Sequence, residues 1–133
     1  MKYFITTLLL IFAGGLQAQP EEHSHWSFSS QKISTCEYEL ILSVKIDEHW
    51  HQYAAYMPSE EGGLPTVITF QTNKDFKLIG KIKESKPIKV FDKIFGVDVA
   101  YHEHTATFKQ RVQLLTDKEI VIKGSYEGQV CMT

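Results

Sequence analysis

The stretch Cys36-Glu37-Tyr38-Glu39-Leu40-Ile41-Leu42-Ser43-Val44-Lys45-Ile46, CEYELILSVKI, decides the fold. Cys36, Tyr38, Leu40, Leu42, Val44 and Ile46 fall on one face of a period-two pattern, and Glu37, Glu39, Ser43 and Lys45 fall on the other. Side chains alternate across an extended chain, so this pattern predicts a long strand with one face buried and one wet. Outward in both directions the same period continues. Trp26, Phe28 and Ser30 alternate with polar neighbours, and His49 to Tyr56 (HWHQYAAY) reads as an aromatic strand. Met57 to Thr66 carries Pro58, Gly62, Gly63 and Pro65 and reads as a loop.

Further along, Val67 to Gln71 and Phe76 to Ile82 are expected to pair through the link Thr72-Asn73-Lys74-Asp75. Lys83 to Lys89 is polar and holds Pro87. Thr105 to Leu115 turns Ala106, Phe108, Val112 and Leu114 inward, and a turn at Thr116-Asp117-Lys118-Glu119 leads into a last strand from Ile120 to Val130. No segment has a capped helical period. Many short strands with turns between them predict an all-β protein of two sheets, each covering the other's apolar face. Strand order does not follow from the pattern.

The chain has 133 residues, 43% hydrophobic and 23% charged, with a net charge of -2, which fits one globular domain. Its basic residues form no patch, so a nucleic-acid partner is not expected, nor is an anionic membrane surface. The opening MKYFITTLLLIFAGGLQAQ has Lys2, an apolar run from Tyr3 to Ala13 and small residues before Ala18. It reads as a secretory signal over residues 1–18, cleaved after Ala18, with the domain at 19–133. An uncleaved membrane anchor is the alternative, though the run falls short of the roughly 20 residues a span needs. Export would place the two cysteines, Cys36 and Cys131, where disulfides form.

If alternation holds to the end of the last strand, Ile120, Ile122, Tyr126 and Val130 share the core face, and Cys131 points away from it. An accessible strand-end cysteine suits thiol chemistry, whereas Cys36, on the apolar face, is expected to be buried and inert. A plain surface thiol at Cys131 and a structural Cys36–Cys131 disulfide stay open as alternatives.

Three stretches carry a resemblance: HWHQYAAYMPSEEGGLPTVITF, KVFDKIFGVDVAYHEHTATFKQRV and IVIKGSYEGQVC. Their order and spacing resemble the amino-terminal periplasmic domain of the thiol:disulfide interchange protein DsbD family, over nearly all of residues 19–133. The matching features are Trp50-His51-Gln52-Tyr53 before a Gly-Pro loop, Phe95-Gly96 before a strand, and Tyr126 followed by Cys131.

The resemblance implies an immunoglobulin-like β-sandwich in the periplasm. It implies that Cys131 matches the first cysteine of an active pair, with Tyr126 on the strand leading to it. It implies a covering loop over about Phe91 to Tyr101, in which Phe91, Phe95, Gly96 and Tyr101 form the shield; the bland reading of its aromatics is ordinary core. It implies a relay that takes electrons from a membrane-embedded redox domain and passes them to periplasmic thioredoxin-fold proteins, without cofactor or small-molecule substrate. The family's second cysteine follows a short polar run, and residues 1–133 stop before it, so the sequence is expected to be a truncated copy. A lone thiol reaches only the mixed disulfide unless an external thiol resolves it.

All six histidines occur as His-x-His: His23/His25, His49/His51 and His102/His104. On a strand each pair could offer two imidazoles to zinc or copper, but no third ligand stands at a recognisable spacing, so a metal is not expected. A non-redox exported binding module, holding a metal through His49, His51, His102 or His104, is the second reading. Nucleophile-elbow, phosphate-loop and dinucleotide motifs are absent from the sequence.

Overall fold

In a computed structural model the structure describes residues 8–13 and 22–133. The described residues contain eleven strands and no helix. In chain order they are β1 (Leu8–Ala13), β2 (Ser24–Lys32), β3 (Glu37–Ile46), β4 (Trp50–Tyr53), β5 (Val67–Phe70), β6 (Phe76–Glu84), β7 (Ile88–Asp92), β8 (Val97–His102), β9 (Thr105–Leu114), β10 (Ile120–Glu127) and β11 (Val130–Met132). They form three sheets, ordered β2-β3-β9-β6, β1-β10-β5 and β11-β4-β8-β7. The protein is all-β, and its packed sheets fit a sandwich.

The core follows from the alternation. β3 contributes Tyr38, Leu40, Leu42, Val44 and Ile46, all buried, while its other face stays partly wet. β9 lies antiparallel to it, with Leu42 opposite Phe108 and Tyr38 opposite Val112. Ile120, Ile122 and Phe70 from the β1-β10-β5 sheet join the same cluster. Removing each such side chain from water stabilises the fold by about 1.5–3 kcal/mol. Trp26 of β2 stacks on Tyr126 of β10 at 4.1 Å and lies 5.7 Å from Phe108, which ties the two sheets together.

Several expectations give way to longer-range pairing. The strands at 67–71 and 76–82 do not form a hairpin: β5 pairs with β10 and β6 with β9. The chain changes sheet between them, with Gln71 N donating to Lys123 O and Leu115 N to Asp75 O. The aromatic strand is only four residues long, because the Ala55 and Tyr56 amides bond the Glu84 carboxylate instead of a ladder. The polar stretch 83–89 is shared between the end of β6 and the start of β7.

The last strand is two. β10 ends at Glu127, and β11 begins at Val130 in a different sheet, antiparallel to β4. Gly128 permits this crossing, since a Cβ there would come within 2.9 Å of Thr66 Oγ1. Residues 8–13, expected to lie outside the fold, form β1, which runs parallel to β10 with Leu8 opposite Ile120 and Phe12 opposite Gly124. Phe12 stacks on Phe28 at 4.7 Å and meets Phe70 edge-on at 5.5 Å.

Candidate thiol site on the β4–β11 edge

Cys131 lies in β11 directly opposite His51 of β4, and Tyr53 lies opposite Tyr101 of β8. Residues opposite each other in an antiparallel ladder share a face, as do residues two apart in one strand. Cys131, His51, Tyr53 and Tyr101 therefore occupy one face of the β11-β4-β8-β7 sheet, together with Val99. The rings of His51 and Tyr101 are 4.6 Å apart, and those of His51 and Tyr53 are 5.3 Å apart, edge to face. Among the described residues β11 has no strand on its outer side, so the sulfur sits beside an open sheet edge.

Cys131 is half-buried rather than freely exposed, and both cysteines are free thiols. The break at Gly128 moves Cys131 from the β10 ladder to β4, where it lies among His51, Tyr53 and Tyr101. Burial pushes its thiol above the ordinary range, and a hydrogen bond from the Tyr53 hydroxyl pulls it partly back. The same contact works in reverse on Tyr53, whose phenol is raised by burial first and then by Cys131 and Asp92. Burial lowers the pKa of His51, against the charges of Glu103 and Asp92 that raise it, so at neutral pH a neutral imidazole lies across from the sulfur. Its Nδ1 is buried without a hydrogen-bond partner. The resting thiol is thus muted: it has a hydrogen-bond donor, Tyr53, and among the described residues no cation acts on it to hold it as thiolate.

Cys36 is a correction. It is exposed, because β3 begins at Glu37 and the alternation does not reach back to it. It stands at the start of β3, while Cys131 pairs with β4, which follows the end of β3. Ten strand residues at ~3.3 Å each separate these ends, far beyond the ~7 Å limit for a disulfide.

The segment 91–101 is a hairpin and not a loop. β7 and β8 pair from Ile88 opposite Tyr101 to Asp92 opposite Val97. Asp92 closes the turn by accepting the Ile94 and Phe95 amides at 2.8 and 3.0 Å, and Gly96 supplies a φ of 73°. Phe91 lies opposite Asp98, on the other face of the sheet from Cys131, so it is not part of a shield over the sulfur. Ile94 is 92% exposed and Phe95 41%, which places them on the tip of the hairpin and removes the reading of these aromatics as core. Tyr101 does reach the site, through His51. Tyr126 does not: it belongs to β10 and packs on Trp26, and burial raises its phenol, with Glu22 adding to the effect.

The residue that sequence reading missed is Tyr53. It is 4% exposed, and it contacts Cys131 only because β4 and β11 pair across 78 positions of chain. The Trp50-His51-Gln52-Tyr53 stretch was the signal, since it alternates toward the face that Cys131 joins.

Two of the three histidine pairs separate, and His23/His25 stays together. His49 and His104 have left-handed backbones, with φ of 71° and 66°, so neither continues its partner's face. His102 lies opposite Gln52, on the sheet face away from His51, and donates from Nε2 to Glu84 Oε1 at 2.8 Å. His23 and His25 both bond Asp47, at 3.2 and 2.9 Å. The bond from His25 is the largest influence holding the Asp47 carboxyl below its usual range. No group of three metal-ligating side chains converges among the described residues.

Comparisons of this chain with protein-family models, curated proteins and solved structures found no match.

Proposed function

We propose that the protein is a thiol–disulfide exchange module of immunoglobulin-like sandwich type, working in the periplasm. Cys131 is its reactive sulfur. The observation that carries this reading is a free, half-buried thiol on an open-edged strand, hydrogen-bonded by one tyrosine. A partly covered thiol resists stray oxidants, and an open edge lets a protein partner approach. The β7–β8 hairpin supports the shield idea in altered form, through Tyr101 at its base and Asp92, Phe95 and Gly96 at its turn.

In the proposed reaction the Cys131 thiolate attacks one sulfur of a partner disulfide. A bond forms between the two sulfurs, and the partner's second sulfur leaves as a thiolate that takes up a proton. Another thiol must then resolve the mixed disulfide, which releases the reduced partner. The partners are thioredoxin-fold proteins, and a membrane-embedded redox domain returns electrons to the site. The test is a mixture of reduced protein with an oxidised thioredoxin-fold protein on a non-reducing gel. A mixed disulfide that Cys131→Ser abolishes and Cys36→Ser spares is the expected result. A conjugate that depends on Cys36, or none at all, removes the proposal.

A further inference from the structure

Residues 54–66 start and end at groups on the far face of the β11-β4-β8-β7 sheet, Glu84 with His102 and Thr66 with Gln52, and pass over the Cys131 face at Gly62 and Gly63. Gly63 packs against the Tyr53 ring, where a Cβ would come within 2.8 Å, and Gly62 packs against Val99, where it would come within 2.7 Å. Leu64 N donates to Gln129 Oε1 at 3.0 Å. Gln129 itself accepts from Tyr53 N at 3.2 Å through its carbonyl, two residues before the sulfur. The far end is fixed by Thr66, whose hydroxyl donates to Tyr53 O at 2.7 Å and accepts from Gln52 Nε2 at 2.8 Å.

The near end is held by the Tyr56 hydroxyl, which donates to Ile82 O of β6, and above all by Glu84. Glu84 accepts Ala55 N on Oε1 and Tyr56 N on Oε2, both at 3.0 Å, and His102 Nε2 on Oε1 at 2.8 Å. Its side chain is 6% exposed and that of His102 is 2% exposed. A buried carboxylate with three donors is geometrically committed, and losing its charge leaves those donors without an equal acceptor. Because Glu84 belongs to β6 and His102 to β8, this contact joins two sheets as well as the loop. Between its ends, at 57–61, the loop is tied within itself by Glu61 N, which donates to Ser59 Oγ at 3.2 Å. A segment pinned at its ends opens as a unit.

We propose that residues 54–66 are a strap over Cys131, latched by Glu84 at one end and by Gln129 beside the sulfur, and that its release exposes the thiol to a partner. The inference takes Cys131 as the working thiol, as proposed above. Glu84 and Gln129 are positioning residues: they set access to the sulfur without touching it.

The test uses the Cys36→Ser protein, with iodoacetamide as probe and hydrogen exchange alongside. Alkylation of Cys131 is followed over a pH series, so that access (the limiting rate) separates from ionisation (the midpoint). Loss of one hydrogen bond shifts a local opening equilibrium by roughly fivefold. Glu84→Gln and Gln129→Ala are each expected to raise the limiting rate by about that factor. The Ala55, Tyr56 and Leu64 amides should lose protection while Leu42 and Phe108 keep theirs. Faster exchange at the strap with an unchanged limiting rate overturns the proposal, as does a strap that stays protected in both variants. Should Glu84→Gln not fold, Gln129→Ala decides by the same criteria. A small alkylating agent needs no partner, so failed exchange with thioredoxin-fold disulfides leaves this test intact.

Discussion

Tyr53→Phe removes one oxygen and keeps the ring that Gly63 and His51 pack against. What is lost is the hydroxyl that donates to Cys131 and lowers its pKa. A hydrogen bond to a charged group contributes about 1.5 kcal/mol at the low end of its range, or roughly a factor of ten in an equilibrium. At neutral pH the thiolate fraction should therefore fall about tenfold. The thiolate that remains is more basic and more nucleophilic, and with a Brønsted coefficient of about 0.4–0.5 this returns roughly threefold. The net expectation near pH 7 is exchange with a small aromatic disulfide slowed by about three- to fourfold. Well above the thiol's pKa both proteins are fully ionised, and the variant should react about threefold faster. Stopped-flow release of the aromatic thiolate across pH, in a Cys36→Ser background, measures both limbs. The crossing of the two profiles is the signature. Equal rates throughout, or a variant faster at every pH, would refute the hydrogen bond as the control on this sulfur.

Other outcomes follow from the same contacts. In the native reduced protein Cys36 should be alkylated before Cys131, because it is exposed and Cys131 is half-buried; peptide mapping of singly labelled protein reads the order. Gly128→Ala should cost about 1–3 kcal/mol in urea unfolding through the Thr66 clash. Glu84 is held below its ordinary range: burial works to raise it, but the His102 and Ala55 and Tyr56 bonds prevail. A depressed carboxyl stabilises the fold above the unfolded value of about 4.3 and loses that contribution as pH falls through the folded one, so Glu84→Gln should flatten the acid limb of stability against pH. Deleting residues 1–18 removes the half-buried Leu8, Leu10 and Phe12. It should lower stability by a few kcal/mol, at about 1.5–3 kcal/mol for each fully buried side chain and less for these; denaturant titration of the two lengths compares them.

The hydrophobic period carried the fold a long way. CEYELILSVKI and TATFKQRV identify the two central strands and their buried faces, because a strand covered on one side must alternate. The same rule failed wherever the chain changes sheet. At Gly128 the pattern runs on in the sequence while the backbone leaves one ladder for another, and at 71–75 a link that reads as a hairpin turn joins strands of different sheets, because alternation is silent about partners. Cys36 was misplaced by extending the period one residue past the start of β3. At the site, the position of Cys131 near the end of a strand was legible, but Tyr53 was not, since only cross-strand register joins them. The role of Glu84 was equally hidden, because an acid in a Lys-rich strand end reads as solvated until the Ala55 and Tyr56 amides are seen to converge on it.

The most direct measurement is the rate at which reduced Cys36→Ser protein exchanges with an oxidised thioredoxin-fold protein, set against its rate with oxidised glutathione at equal concentration. The account predicts faster exchange with the protein disulfide, with the whole of it carried by Cys131. Faster exchange with glutathione, or protein exchange that survives Cys131→Ser, would contradict it.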